Sequence, residues 1–532
     1  NDLSHMLFSG PAGTGKCVTG ETPVVTNDGL HRIEDVVGDG DGFEPAASDL
    51  EVLSLTDEGE FEYVTPSHCY SDDTDIGYEI TTRDGSTVTT TPEHRMLVLS
   101  EDGLSWRQAF ELDAGDRIVR PLEAPLPATD RKIDWIEALD GERTLVTVSE
   151  SFSREYDIPP EAQFVGQKKQ IVEGLRRGAT AAEVAADVST TEKYAKRVER
   201  DVDEETLAEP STVCSLATIR ELDASRAELR KHVESIQRVA PTNNRRSSPI
   251  TPVWETTPEL GAFLGLALSE ARIENGRIKF YNTDDDLLDR FEQYSRELFG
   301  LEPKRGCQKD VPYVAVNTRT LTAFLESCFD VFDDGDAIAG RLLRADDRTR
   351  AAFLRAMFDA EAYVSDSGIL ELSQKDGDLI TLLSYLLAGF GIPSRRAAER
   401  KCATNGSGIE REYHTLKVSG AAHLATFEDE VGFTIDHKAE RLSSHADTDG
   451  NPNHDTMPVQ ATVDELCART NLQKSALVPD TLNPETPGRE RYQTALGAVV
   501  DSASARLEAA QEVRETIDSL RPQLRAAAGI PV

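Results

Sequence analysis

Apolar and polar positions alternate through residues 51–56, 61–65 and 77–82. Successive side chains of a strand point to opposite faces, so a period of two predicts strands with one face buried. Turn signals at Asp28-Gly29, Asp57-Glu58-Gly59, Asp84-Gly85 and Asp102-Gly103 separate these runs. Residues 17–122 therefore read as an all-β region. From 123 to 250 the alternation gives way to charged, helical sequence. Residues 168–177 are followed by Gly178, then 181–188, a break at Ser189-Thr190, and 192–202. Helix, glycine turn, short helix and a second basic helix predict a helix-turn-helix over about 166–203. Its last helix presents Lys193, Lys196, Arg197 and Arg200 as candidate DNA contacts. The polar run 242–249 reads as a linker.

Between 255 and 436 the pattern repeats itself. Phe263-Leu-Gly-Leu-Ala-Leu-Ser-Glu270 returns as Leu354-Arg-Ala-Met-Phe-Asp-Ala-Glu361. Each copy predicts an apolar helix with a small residue on one side (Gly265, Ala356) and an acid at its C-terminal end. Strand-like and then helical sequence follows each, at 277–282 and 285–299 in the first copy and at 368–373 and 379–390 in the second. Such helices pack closely where small residues face each other, which would bring Glu270 and Glu361 together. Paired carboxylates repel unless a cation lies between them, so Mg²⁺ is the expected occupant and metal-assisted phosphodiester hydrolysis the expected chemistry. From 437 to 532 the signal fades to a helical segment, with a loop at 451–459 and an amphipathic run at 503–527.

Composition adds limits. The 532 residues suffice for several domains. The formal net charge is −38, and only 15 of the 57 basic residues are lysines. A surplus of that size favours solubility, and with lysine scarce it reads as adaptation to a salty cytoplasm. Seven cysteines without a C-x-x-C pair indicate neither a zinc site nor a disulfide framework. The longest apolar run, about 379–392, is too short to span a membrane. A cytoplasmic protein with no membrane partner is expected.

Ahead of the β region, Gly10-Pro-Ala-Gly-Thr-Gly-Lys16 has the form of a phosphate-binding loop. Such a loop needs a Ser or Thr hydroxyl next, for Mg²⁺, and then a helix. Here Cys17 follows, and β-type sequence after it. The motif is interrupted at its last position. Cys17-Val-Thr-Gly-Glu-Thr-Pro-Val resembles the start of an intein, a self-excising protein element. Thr91-Pro-Glu-His94 resembles the family's T-x-x-H block, and Leu112-Asp-Ala-Gly-Asp-Arg-Ile-Val119 its next strand and turn. The resemblance implies a horseshoe-like Hint fold over 17–122, with Cys17 attacking the Lys16 carbonyl, His94 protonating the departing nitrogen and Thr91 as hydrogen-bond partner.

Residues 1–16 are similar to the strand and P-loop of archaeal replication factor C small subunits. That implies a host that binds ATP/Mg²⁺ through Gly10, Gly13, Gly15 and Lys16 only after splicing, and then meets other clamp-loader subunits and the sliding clamp. The repeat at 255–436 resembles two-motif LAGLIDADG homing endonucleases, α+β pseudo-dimers that cut double-stranded DNA with one acid from each motif helix. It departs from their pattern at Ala271 and Ala362, where glycine is usual. Lys417 is a candidate basic group. No His-Asn pair occurs in the chain, so the sequence is expected to stop before an intein's C-terminal residues. A clamp-loader ATPase with a decorative insertion, a splicing-dead Hint/endonuclease remnant, and a Hint-type domain that cleaves without ligating are the alternatives.

Overall fold

The computed structural model describes residues 17–446, except 28, 38–41, 56–60, 73–75, 101–102, 121–125, 127, 129–131, 142, 159–166, 189, 202–211, 241–245, 275, 330–339 and 403–409. Beyond 446 it describes only 468, 504, 507–508 and 510–515. The first 16 residues, with Gly10, Gly13, Gly15 and Lys16, lie outside the described residues. So does most of the predicted helix at 503–527, whose described positions are helical.

The N-terminal region is β-rich. Strands β1 (Pro23–Thr26), β2 (Gly29–Arg32), β4 (Val52–Leu55) and β5 (Phe61–Val64) form an antiparallel sheet in the order β2-β1-β4-β5. Two strand pairs stand beside it: β3 (Gly42–Pro45) with β6 (His68–Ser71), and β7 (Tyr78–Thr81) with β8 (Thr87–Thr90). Then β9 (Arg95–Ser100) lies between β10 (Gly103–Gln108) and β11 (Arg117–Ile118). Three of these strands, β4, β5 and β7, fall where the alternation predicted them.

The middle of the chain is helical, and it also contains a sheet the sequence reading passed over. β12 (Thr144–Val148) lies between β13 (Val213–Ser215) and β14 (Val233–Arg238), with the helices Gln167–Arg176, Ala181–Asp187 and Glu192–Asp201 inserted between β12 and β13. Those three helices close a small core of their own around Ile171, Val184, Ala195 and Val198. The sheet instead joins the main core, which includes its Val146, Cys214 and Ile236, and the Arg238 N–H donates to Thr320 Oγ1 at 2.9 Å.

Residues 258–446 form an α+β body with an internal pseudo-repeat. The first motif helix, Pro258–Glu270, is capped by Thr257, whose hydroxyl accepts from the Leu260 N–H. It leads into β15 (Ala271–Ile273), β16 (Arg277–Tyr281), the helix Asp285–Phe299, β17 (Lys304–Gln308) and β18 (Val311–Asn317), ordered β15-β16-β18-β17. The second motif helix, Asp347–Glu361, leads in the same way into β19 (Tyr363–Val364), β20 (Ile369–Gln374), the helix Gly377–Ala388, β21 (Arg395–Cys402) and β22 (Glu410–Ser419), ordered β19-β20-β22-β21. The helices Ala421–Glu430 and Asp436–Ala446 complete it.

The two motif helices pack backbone against backbone. A Cβ built on Gly261 would come 2.6 Å from the Thr349 carbonyl oxygen, and one on Gly265 would come 2.5 Å from that of Phe353 and 2.9 Å from the Ala356 Cβ. Neither carbonyl can yield without bending its helix. Gly265→Val is therefore expected to destabilise the fold by about 1–3 kcal/mol, read as a lower denaturant midpoint; an unchanged midpoint would mean that the close approach is dispensable.

Candidate functional site

Two groups of the side chains singled out in the sequence lie in different parts of the molecule. The first is at the start of the described chain. Cys17 is half-buried, its backbone N–H donates to Thr91 Oγ1 at 3.3 Å, and the Thr91 hydroxyl donates back to the Cys17 carbonyl at 3.4 Å. The Thr91 N–H reaches the same carbonyl at 3.0 Å. One threonine therefore holds both polar groups of the Cys17 backbone. Residues 17–19 are laid along β8 by the bridge Val18–Thr90 and by the Thr19 N–H on the Thr89 carbonyl at 3.0 Å. His94 follows in a turn, its N–H on the Thr91 carbonyl at 3.1 Å, and is 3% exposed. Burial, then the nearby Asp72 carboxylate, pushes the Cys17 thiol above its ordinary pKa, so it is protonated at neutral pH.

The second group is built by the helix pair. Gly265 and Ala356 set the separation of the helices, and the C-terminal acids of both then meet: Glu270 and Glu361 lie close enough for each carboxyl to perturb the other. Burial and the repulsion of Glu270 push Glu361 up to about 8, while Gln374, on β20, hydrogen-bonds it and opposes the rise. Burial raises Glu270 also, against the pull of Arg272 and Lys375. The pair thus shares a proton near neutrality because two adjacent carboxylates cannot both ionise cheaply.

Lys417 does not belong to this group. It stands on β22 opposite Glu371 of β20, with Nζ 3.0 Å from that carboxylate. The cation the sequence reading missed is Lys438. Its Nζ donates to the Asp359 carbonyl at 2.6 Å and to that of Phe358 at 3.3 Å, at the C-terminal turn of the second motif helix. Burial lowers its pKa against the attraction of Asp359 and Glu361. Asp359 has a different task. It is 2% exposed, accepts from the Thr434 N–H at 3.0 Å and pairs with Arg290 at 3.5 Å, pinning the loop around 434 to the helix.

Oxygen donors suit a hard divalent cation, and Mg²⁺ is typically held by one or two carboxylates together with substrate phosphates. Glu270 and Glu361 fit that pattern. No group of three or more His, Cys, Asp or Glu among the described residues could hold a metal without such help. The proposed DNA contacts Lys193, Lys196, Arg197 and Arg200 are all exposed. Two of them have neighbours on their own helix: Lys196 pairs with Glu192 at 2.7 Å, and Arg197 lies 5.2 Å from the Tyr194 ring.

Residues 348–432 match the LAGLIDADG-like domain family. The chain thus carries a LAGLIDADG-like fold, and the match falls within the second half of the repeat. Over 130 residues the chain is 45% identical to a replication factor C small subunit of Haloquadratum walsbyi, covering 24% of this chain and 20% of that protein. A replication factor C small subunit of Methanocaldococcus jannaschii is 23% identical over 465 residues, 86% of this chain and 18% of that protein. The chain thus spans a fifth or less of the length of these relatives. An A-type ATP synthase subunit of Pyrococcus abyssi is 22% identical over 404 residues, 72% of this chain and 29% of that protein. Among solved structures, I-DmoI in complex with DNA and Mn shares 15% identity, covering 33% of this chain and 97% of that one at a TM-score of 0.25. No helix among the described residues is long and apolar enough to cross a membrane.

The shared proton has a consequence for stability. A carboxyl in an unfolded chain titrates near about 4.3. With the folded values raised, the native state holds more protons than the unfolded one from there up to the folded values. These groups therefore stabilise the fold fully at low pH, and that stabilisation is lost as pH rises toward about 8. In chelator, the thermal midpoint is expected to be lower at pH 8.5 than at pH 6, and Mg²⁺ should recover it at pH 8.5 far more than at pH 6. A flat profile, unaffected by Glu361→Gln, would contradict the pairing.

Proposed function

We propose that this chain is an intein-type self-excising element carrying a metal-dependent endonuclease that cuts double-stranded DNA. The observation that carries the nuclease reading is the meeting of Glu270 and Glu361, one acid from each copy of a repeated helix. Basic side chains lie on both sheets, in a chain of net charge −38. Arg272, Lys279 and Ala315 stand in register, with Lys304 beyond them, on the first sheet, and Glu371, Lys417 and Arg395 do so on the second. Phosphate contacts of this kind position a duplex. In hydrolysis a water oxygen attacks phosphorus, the P–O bond to the leaving sugar oxygen breaks, and that oxygen takes up a proton. A bound divalent cation would polarise the phosphate and lower the pKa of the water. The two glutamates would hold that cation, and Lys438 offers positive charge beside them.

For self-excision, Cys17 Sγ attacks the Lys16 carbonyl carbon, the bond from that carbon to the Cys17 nitrogen breaks, and the nitrogen takes a proton, with His94 as donor. Amide becomes thioester with no other reactant. Thr91 fits the task because it already grips the nitrogen that must leave. The matches to a clamp-loader protein of one archaeon and to an ATP synthase protein of another overlap over more than half of this chain. One segment shared by two differently named proteins is what a transferable element produces. On this reading the host is a clamp-loader ATPase of the cytoplasm, competent for ATP/Mg²⁺, its sister subunits and the sliding clamp only once the insertion has left. Cleavage without ligation is the second reading.

The test is direct. DNA carrying the uninterrupted P-loop coding sequence of such a host gene should be cut at one site in Mg²⁺ and left whole in EDTA. Failure to cut in Mg²⁺ or Mn²⁺ over a range of salt would remove the nuclease from this proposal.

A further inference from the structure

The β7–β8 hairpin carries the strand against which Cys17 is laid, and its tip is docked on the nuclease body. The tip is a tight turn: the Thr82 N–H reaches the Ser86 carbonyl at 2.8 Å, and the Gly85 N–H reaches the Thr82 carbonyl at 3.0 Å. Asp84 braces it, accepting from the Ser86 N–H at 3.1 Å and from the Thr82 hydroxyl, and pairing with Arg120. The outer face of this turn meets β21. The Arg396 N–H donates to the Asp84 carbonyl at 2.9 Å. The Arg396 guanidinium joins Ser86 Oγ at 3.4 Å to Thr381 Oγ1 at 3.0 Å, Thr381 being on the nuclease helix Gly377–Ala388. Gly85 has φ +84°, and a Cβ there would lie 1.7 Å from the Arg396 carbonyl oxygen. No side chain fits, so the contact is backbone on backbone. A second link, Arg32 to Asp378 at 3.6 Å, joins β2 to the start of the same helix.

We propose that the nuclease body is a working part of the bond-breaking site, with Arg396 as a positioning residue that fixes β8 and through it Thr91 and Cys17. The inference rests on the reading of Cys17 as the nucleophile. Ser86 is 4% exposed and directly precedes β8 (Thr87–Thr90); Thr91 follows and holds the Cys17 nitrogen at 3.3 Å. Four consecutive positions, Thr87–Thr90, separate the docked Ser86 from the grip on the leaving nitrogen. A strand does not shorten, so a shift of the tip reappears at Thr91. Misplacement of reacting groups by about 1 Å can cost on the order of a hundredfold in rate.

The experiment measures the release of residues 1–16 from the whole chain by dithiothreitol, followed by mass, well below the denaturation midpoint. Arg396→Ala is expected to slow release about tenfold at an unchanged midpoint. Thr381→Val and Ser86→Ala, each removing one guanidinium contact, should slow it less. Arg396→Lys, which keeps a donor, should recover most of the rate. That rescue separates positioning from general loosening. Release at the wild-type rate in Arg396→Ala overturns the proposal. Should that variant fail to fold, an undiminished rate in Thr381→Val does so, because its backbone contact is intact. A wild-type chain that releases nothing, while still cutting DNA, would remove the nucleophile reading and this inference with it.

Discussion

Cys17→Ala abolishes thiol-induced loss of residues 1–16. The expected result is complete loss, because the reaction needs an atom that can bond to the Lys16 carbonyl carbon and a methyl group cannot. His94→Ala should behave differently. Removing an acid that protonates the leaving nitrogen slows the step by about 10²–10⁴-fold without eliminating it. The two variants therefore form a pair, one blocked and one slow, distinguishable by mass spectrometry of the released peptide over time. Because burial raises the Cys17 thiol pKa, the wild-type rate should climb as pH rises into the alkaline range. Peptide release from Cys17→Ala at the wild-type rate would rule out this nucleophile.

The second large effect concerns the acids. Glu361→Gln and Glu270→Gln should each lower metal-dependent DNA cutting by at least about a hundredfold, since even residues that only orient metal ligands are worth about 10–100-fold. Activity alone could fall for many reasons, so a readout in the absence of metal is needed beside it. Each substitution removes one of two repelling carboxyls. Burial keeps the remaining acid raised, but one raised carboxyl fewer titrates and Glu361 also loses the repulsion of Glu270, so stability in chelator should become less sensitive to pH between 6 and 8.5. Lower cutting together with this flattening is expected of a carboxyl pair. Undiminished cutting by either variant would show that the paired acids are not the reaction centre.

The legible features share a physical reason. The acids could be read from the sequence because helix periodicity, a small residue and a terminal carboxyl are local patterns that occur twice. The helices and strands that follow each motif were legible for the same reason: 285–299 is the helix Asp285–Phe299, and 277–282 contains β16. Lys438 was not legible. It lies far downstream of Glu361, and its significance comes from the carbonyls at a helix end that only the fold brings to it. Lys417 looked equally basic, but register sets it against Glu371. The β12–β14 sheet escaped notice because its three short strands are scattered through charged helical sequence, and Val213–Ser215 is too brief to declare a period. The Gly85–Arg396 contact joins positions more than 300 residues apart, and no local rule reaches that far.

The helical insert between β12 and β13 has one further consequence. Its core draws only on residues 171–198 and their neighbours, while the sheet that frames it must wait for Val146 to find both Cys214 and Ile236. Contacts between near neighbours form before those that close long loops. The three helices can therefore assemble while the chain is still emerging from the ribosome, before their own frame exists. They would bring β12 and β13 toward each other early, and so shorten the search that the surrounding sheet must make.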